Sequence, residues 1–186
     1  MNLKLTNFDA SWTLFLDRDG VINQKIENDY IKKWENFHFI DGVLHALKKF
    51  SHQFKHIVIV TNQQGIGKGL FTEEELAIVH KKMMEKIQDA GARIDKIYFC
   101  PALASDCSPY RKPATGMALQ AQADFPDIDF TKSVMVGDSI SDMEFGKSLG
   151  MTTVFIDPQG KQIKNSQPKL IDWELKSLSE LNFDAA

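Results

Sequence analysis

Leu14-Phe15-Leu16-Asp17-Arg18-Asp19-Gly20-Val21-Ile22-Asn23 is the stretch on which the reading of this chain turns. A largely apolar run, Trp12–Leu16, ends in two aspartates spaced D-x-D, followed at once by glycine. Such a run predicts a strand buried on both faces, as in parallel sheets covered by helices. Asp17 then lies at or just past the strand's carboxyl end, where open α/β sheets collect their ligands. Two carboxylates there can hold a divalent cation, and one of them can attack an electrophile.

Working outward, short apolar runs alternate with helical patterns. Asp41 is positioned to cap a helix running to about Phe50, with Val43, Leu44, Leu47 and Phe50 at helical spacing. His56–Val60 predicts a second strand ending at Thr61-Asn62. Thr72-Glu73-Glu74-Glu75 reads as a capping box opening a long helix that carries Leu76, Val79, Met83 and Ile87 and stops near Ala90-Gly91. Asp95–Cys100 predicts a third strand, and Thr115 to about Phe125 a helix. Ser133–Val136 predicts a fourth strand, followed by a helix to Leu149-Gly150 and a fifth strand at Thr152–Ile156. Ile171–Leu181 carries no decisive pattern. The alternation predicts βαβ units: a Rossmann-like three-layer α/β sandwich with a mostly parallel sheet, forming one domain over residues 1–186.

Composition narrows the function. The 186 residues carry 22 basic and 25 acidic side chains, net −3, with no long basic run, which argues against nucleic-acid binding by bulk electrostatics. Met1–Ser11 has no apolar core of a signal peptide, and no stretch approaches the roughly 20 apolar residues of a membrane span. Two cysteines, Cys100 and Cys107, make no disulfide framework. A cytoplasmic monomer acting on a small molecule is expected, with neither membrane nor nucleic acid as partner.

Polar clusters recur where strands stop or helices begin: Asp17 and Asp19, Thr61-Asn62-Gln63, Gly137-Asp138-Ser139 with Asp142, and Arg111-Lys112-Pro113 just before a helix. Parallel strands present their carboxyl ends on one edge, so these clusters should converge. Asp17, Asp19 and Asp138 suit Mg²⁺, which takes one or two carboxylates together with phosphate oxygens and water. The Thr61 hydroxyl and Lys112 suit phosphate oxygens. Phosphoryl transfer needs little beyond an in-line nucleophile and charge neutralisation. An aspartate can supply the first, and a second carboxylate two residues away can move the proton. Taken singly each feature has a plainer reading: D-x-D-G also makes solvated turns, Thr61-Asn62 can cap a turn, and Asp142 suits the first turn of a helix. Gly65-Ile66-Gly67-Lys68-Gly69 departs from both the dinucleotide and the P-loop fingerprints and is expected to be a turn beside the site. The scattered histidines are expected to be satisfied or at the surface.

The ordered set Asp17-x-Asp19-Gly20-Val21, Thr61, Lys112 and Gly137-Asp138-x-x-x-Asp142 resembles the haloacid dehalogenase-like phosphatases over about Leu14 to Ile156. The resemblance implies Asp17 as nucleophile and Asp19 as general acid/base, with Thr61 and Lys112 stabilising the phosphoryl group. It also implies Mg²⁺ on the Asp17 carboxylate, the Asp19 backbone carbonyl and Asp138, with Asp142 in support. A longer series, Asp17 to Asn23, Tyr30, Phe39 to Val43, Thr61-Asn62-Gln63 and Arg111-Lys112-Pro113, is similar to the heptose bisphosphate phosphatase branch and its histidinol-phosphate phosphatase relatives. It implies substrate contacts from Asn62, Gln63, Arg111, Tyr30 and Ser139. The alternatives are histidinol phosphate, another small phosphorylated metabolite, or a phosphate-binding module without turnover. That branch often holds a structural zinc before Arg-Lys-Pro, but here Ala102 and Pro109 stand at two of the ligand positions. Two remaining cysteines cannot supply four ligands, so zinc is expected to be absent. The loop is then expected to be held by its own packing through Pro101, Pro109 and Tyr110. Little chain remains for a cap domain, so the loops at 24–31 and 101–110 should shield an otherwise open site.

Overall fold

The computed structural model describes the backbone of Asn2–Leu3 and residues 8–183; residues 1, 4–7 and 184–186, part of the polar N-terminal stretch among them, lie outside the described residues. The chain runs β1 (Asn2–Leu3), β2 (Thr13–Leu16), α1 (Val43–Gln53), β3 (His56–Asn62), α2 (Glu73–Asp89), β4 (Lys96–Cys100), α3 (Gly116–Asp124), β5 (Ser133–Gly137), α4 (Ile140–Ser148), β6 (Thr152–Ile156), α5 (Ile163–Ser166), β7 (Trp173–Leu175) and β8 (Asn182–Phe183). Six strands form one sheet in the order β4-β3-β2-β5-β6-β7, every neighbour parallel. β1 and β8 form a separate parallel pair.

The sheet reads two faces from alternate residues, as strand geometry requires. Leu14, Leu16, Ile57, Ile59, Val134 and Val136 pack with Leu47 and Phe50 of α1 and Val79, Met83 and Ile87 of α2. Phe15, Val58, Val60 and Met135 pack with Met117 and Ala121 of α3 and Phe145 of α4. Both faces are therefore dry, which is why β2 reads as a continuous apolar run. Chain order leaves β2 in one direction towards β4 and returns to β5 on its other side. The switch point thus lies between β2 and β5, where α/β sheets open a crevice.

The capping box at Thr72 is present: Glu75 N–H donates to the Thr72 hydroxyl at 3.2 Å, and Thr72 N–H to the Glu75 carboxylate at 2.9 Å. Asp41, by contrast, does not cap α1. That helix begins one residue later than its sequence suggests, because Gly42 takes the cap position at φ +78° with no side-chain cap bond. The first strand starts at Thr13, since Trp12 N–H is turned back to the Asp9 carbonyl at 3.2 Å. The indecisive C-terminal region supplies the sixth strand, β7, on the sheet edge beside β6. Among the described residues no helix is long and apolar enough to cross a membrane.

Candidate active site

The carboxyl ends of β2, β3 and β5 and the start of α3 bring Asp17, Thr61, Asp138 and Lys112 to one polar cavity of about 180 Å³, which Asp19, Asn62, Ser139, Asp142, Arg111 and Tyr30 also line. Asp17 continues β2, its N–H donating to the Val136 carbonyl at 2.9 Å. The chain then coils tightly: the Arg18 carbonyl accepts Ile22 N–H at 2.8 Å and Gly20 N–H reaches the Asn23 carbonyl at 2.8 Å. Gly20 holds φ +89°, and a Cβ there would overlap the Asp138 carboxylate. Glycine after D-x-D is thus demanded twice, by backbone conformation and by the closeness of β5.

Lys112 is the electrostatic centre. It is 3 % exposed. Its Nζ donates to Asp17 Oδ1 at 2.9 Å and to the Val60 carbonyl at 2.6 Å, and forms an ion pair with Asp142 Oδ1 at 2.6 Å. Burial opposes its charge, but Asp142 and Asp17 outweigh burial and raise its pKa above the usual lysine value. Asn62 clamps the lysine's backbone in both directions, accepting Lys112 N–H and donating to its carbonyl, each at 3.0 Å. Asp142 takes part in the capping box of α4 with Ser139, its Oδ2 accepting both the Ser139 N–H at 3.0 Å and the hydroxyl at 2.6 Å. Asp142 is thus a first-turn acid of α4 that also pairs with Lys112.

The two aspartates of D-x-D sit in opposite environments. Burial pushes the Asp17 carboxyl up to about 7; the charges of Asp142, Asp138 and Asp19 push the same way and Lys112 opposes them. For Asp19 burial also raises the pKa, yet the Arg18 guanidinium and hydrogen bonds from Arg18, Asn23 and Gln63 win and lower it. Arg18 Nη2 reaches both Asp19 oxygens at 2.9 and 2.8 Å, while Asn23 Nδ2 and Gln63 Nε2 each stand at 2.9 Å. Arg18 is fully buried, and its Nη1 lies 3.0 Å from His80 Nε2. Burial and Arg18 hold His80 down at about 3, so it is neutral and accepts from the arginine. It is one of the satisfied histidines.

The acidic set has room for a cation. Asp17, Asp138 and Asp142 offer oxygens that all lie within 4.8 Å of one another. Asp138 Oδ1 is buried without a hydrogen-bond partner, and burial raises the Asp138 pKa. Oxygen donors, a shared focus and an orphaned carboxylate oxygen fit a hard divalent cation. Asp142 joins Asp17 and Asp138 in this grouping of carboxylates, whereas the resemblance implied a backbone carbonyl from Asp19.

Other expected contacts fall differently. Gln63 is 1 % exposed and turned inward, donating to Asp19 and, at 3.0 Å, to Thr61 Oγ1; its neighbour Gln64 lines the cavity instead. The Tyr30 hydroxyl accepts from Lys68 at 3.0 Å. Residues 65–69 form a hydrogen-bonded turn beside these elements, Leu70 N–H closing it on the Gly65 carbonyl at 2.9 Å. The 101–110 loop is held by several hydrogen bonds. Gly67 and Gly116 N–H donate to the Pro101 and Pro109 carbonyls at 3.1 and 2.9 Å, and Arg111 Nη1 donates to the Ala102 carbonyl at 3.2 Å. Tyr110 lies against Gly116 and is 44 % exposed. Cys100 is buried with Sγ 3.8 Å from Ser108 Oγ, whereas Cys107 is exposed. The sequence reading also passed over Lys25, whose Nζ lies 2.9 Å from Asp138 Oδ2. Its signal was available: it is the one cation between Asp19 and Ile31.

With this geometry in hand, a family model described as "Polynucleotide kinase 3 phosphatase" matches residues 4–169. The D-glycero-beta-D-manno-heptose-1,7-bisphosphate 7-phosphatase of Yersinia pestis is 38 % identical over 175 residues, 90 % of this chain and 92 % of that protein. The chain belongs to the haloacid dehalogenase-like phosphatases. It is thus a hydrolase of phosphoric monoesters. The D-glycero-alpha-D-manno-heptose-1,7-bisphosphate 7-phosphatase of Mycobacterium tuberculosis is 38 % identical over 138 residues, 74 % of this chain and 73 % of that protein. Among solved structures, the D,D-heptose 1,7-bisphosphate phosphatase of B. bronchiseptica, complexed with magnesium and phosphate, superposes with a TM-score of 0.81 at 27 % identity, covering 90 % of this chain and 94 % of that one.

Proposed function

We propose that this phosphatase removes the 7-phosphate of D-glycero-D-manno-heptose 1,7-bisphosphate through an aspartyl-phosphate on Asp17. One observation carries the mechanism: Asp17 Oδ1 is fixed 2.9 Å from the buried Lys112 ammonium at the switch point of the sheet. The substrate reading is supported by the relatives, which name this sugar in both anomeric forms.

Asp17 attacks phosphorus in line with the sugar oxygen, so an O–P bond forms on the carboxylate as the ester O–P bond breaks. Lys112 and the Thr61 hydroxyl steady the oxygens of the phosphoryl group in flight. Asp19 gives its proton to the departing sugar oxygen, then takes one from the water that displaces Asp17 from phosphorus. Arg18 opposes protonation of Asp19; the negative charge of an incoming phosphate favours it. The two-step exchange therefore suits a carboxylate whose low pKa is set by partners it can leave. Mg²⁺, held by Asp17, Asp138 and either the Asp19 carbonyl or Asp142, would neutralise the crowded carboxylates and phosphate oxygens.

Histidinol phosphate shares every catalytic group and differs only at the loops. A polynucleotide 3′-phosphate is favoured by the name of the family model, but the small cavity and the net charge of −3 argue against it. Phosphate release should be measured on both heptose bisphosphate anomers, histidinol phosphate and a 3′-phosphorylated oligonucleotide, with and without chelator. The expected result is the highest kcat/KM on one heptose anomer and loss of turnover with chelator. A higher kcat/KM on histidinol phosphate or the oligonucleotide overturns the substrate reading; chelator-resistant turnover overturns the role of Mg²⁺.

A further inference from the structure

Lys25 has no part in the steps above, yet it touches the acidic set directly. Its Nζ lies 2.9 Å from Asp138 Oδ2, and its side chain is 56 % exposed. The backbone beside it is anchored, Gln24 N–H donating to the His38 carbonyl at 2.8 Å. A fixed backbone with a long, half-free stem gives an ammonium that can swing over several ångströms.

The charges around it need such a group. Four carboxylates, Asp17, Asp19, Asp138 and Asp142, face Lys112, Arg18 and Lys25. A divalent cation on Asp17 and Asp138 would repel Lys25 electrostatically and loosen its hold on Asp138 Oδ2. Lys112 is already committed to Asp17, the Val60 carbonyl and the phosphoryl group that is transferred. Arg111 lines the site too, with one of its N–H groups held by the Ala102 carbonyl, so Lys25 would act beside it. Lys25 also borders two cavities: the site itself and a neighbouring groove of about 650 Å³, on whose rim Lys161 and Lys176 stand.

We propose that Lys25 determines specificity for doubly phosphorylated substrates: it pairs with Asp138 until a divalent cation takes that carboxylate, and then holds the phosphate that is not hydrolysed. This rests on the substrate reading above. Unlike the catalytic set, it makes the enzyme discriminate a bisphosphate from the corresponding monophosphate.

The test uses Lys25→Ala and Lys25→Arg in the full chain. Calorimetric titration with Mg²⁺ alone should show tighter binding by Lys25→Ala, about threefold, because the competing ammonium is gone. The ratio of kcat/KM for heptose 1,7-bisphosphate to that for heptose 7-phosphate should fall about tenfold in Lys25→Ala, mainly through KM, and be largely restored in Lys25→Arg. Unchanged Mg²⁺ affinity, or an unchanged ratio, overturns the inference while leaving the substrate reading intact. A wild-type enzyme that turns over histidinol phosphate but not the bisphosphate overturns the substrate reading, and this role of Lys25 with it.

Discussion

Asp17 should make the metal-free protein less stable as pH rises, the reverse of ordinary surface carboxylates. Its carboxyl titrates near 3.8 when exposed and near about 7 in the folded site. Between these values the folded state holds one more proton than the unfolded state. The slope of unfolding free energy with pH is then negative. Stability contributed by the neutral form is fully present below about pH 4 and is lost as pH climbs through about 7. A gap of about three pH units, at about 1.4 kcal/mol each, sets a ceiling of about 4 kcal/mol. For a chain of this size that corresponds to roughly 8–16 °C in Tm. Other groups titrate over the same range, so the informative quantity is the difference between wild type and Asp17→Asn, which keeps the shape and cannot ionise. In chelator, differential scanning calorimetry from pH 5 to 8 should show wild-type Tm falling relative to Asp17→Asn. Mg²⁺ should reverse the trend, stabilising wild type increasingly above pH 6 and Asp17→Asn little at any pH. A wild-type Tm that tracks Asp17→Asn across this range would refute the reasoning, since the carboxyl would then carry no folding-linked proton.

Three further outcomes are expected. Asn62→Ala removes both backbone bonds to Lys112 and should lower kcat about tenfold with little change in KM, at a stability cost of about 1–3 kcal/mol by denaturant titration. Gly20→Ala combines a left-handed backbone with overlap on Asp138; Mg²⁺ affinity by calorimetry and kcat should both fall at least about a hundredfold, with about 1–2 kcal/mol lost in stability. Metal analysis of purified protein should find no stoichiometric zinc, and exposed Cys107→Ser should leave kcat/KM within about twofold of wild type.

The four inner strands, β2, β3, β5 and β6, were legible because both faces of the sheet are buried and their runs are continuous, and the edge strand β4 was legible from the apolar Ile97-Tyr98-Phe99-Cys100. β7 was not: Trp173-Glu174-Leu175 is three residues long, pairs on one side, and alternates too briefly to carry a period. Asp17, Asp138 and Lys112 converge because parallel strands share an edge, an inference that needs topology alone. Which side of a turn a residue faces is finer information. Gln63 and Gln64 are adjacent, yet one supports Asp19 from behind while the other lines the cavity. Lys25 stayed hidden because a lysine in an exposed loop looks like any solvated charge until Asp138 is found beside it. Asp41 misled for a related reason. A capping side chain is a common way to begin a helix, but a left-handed glycine immediately after it can do so as well.

The 24–31 and 101–110 segments are held in part by main-chain hydrogen bonds, Gln24 N–H to the His38 carbonyl at 2.8 Å and Gly67 N–H to the Pro101 carbonyl at 3.1 Å. Such bonds are indifferent to side-chain identity. Apart from Lys25, which pairs with Asp138, side chains at 24–31 and 101–110 can therefore be exchanged with little disturbance of the aspartates, and mutational paths between substrates need not pass through unfolded or inactive intermediates. Selection for a new phosphate ester would find its raw material there, on a chassis whose chemistry stays constant while its taste changes.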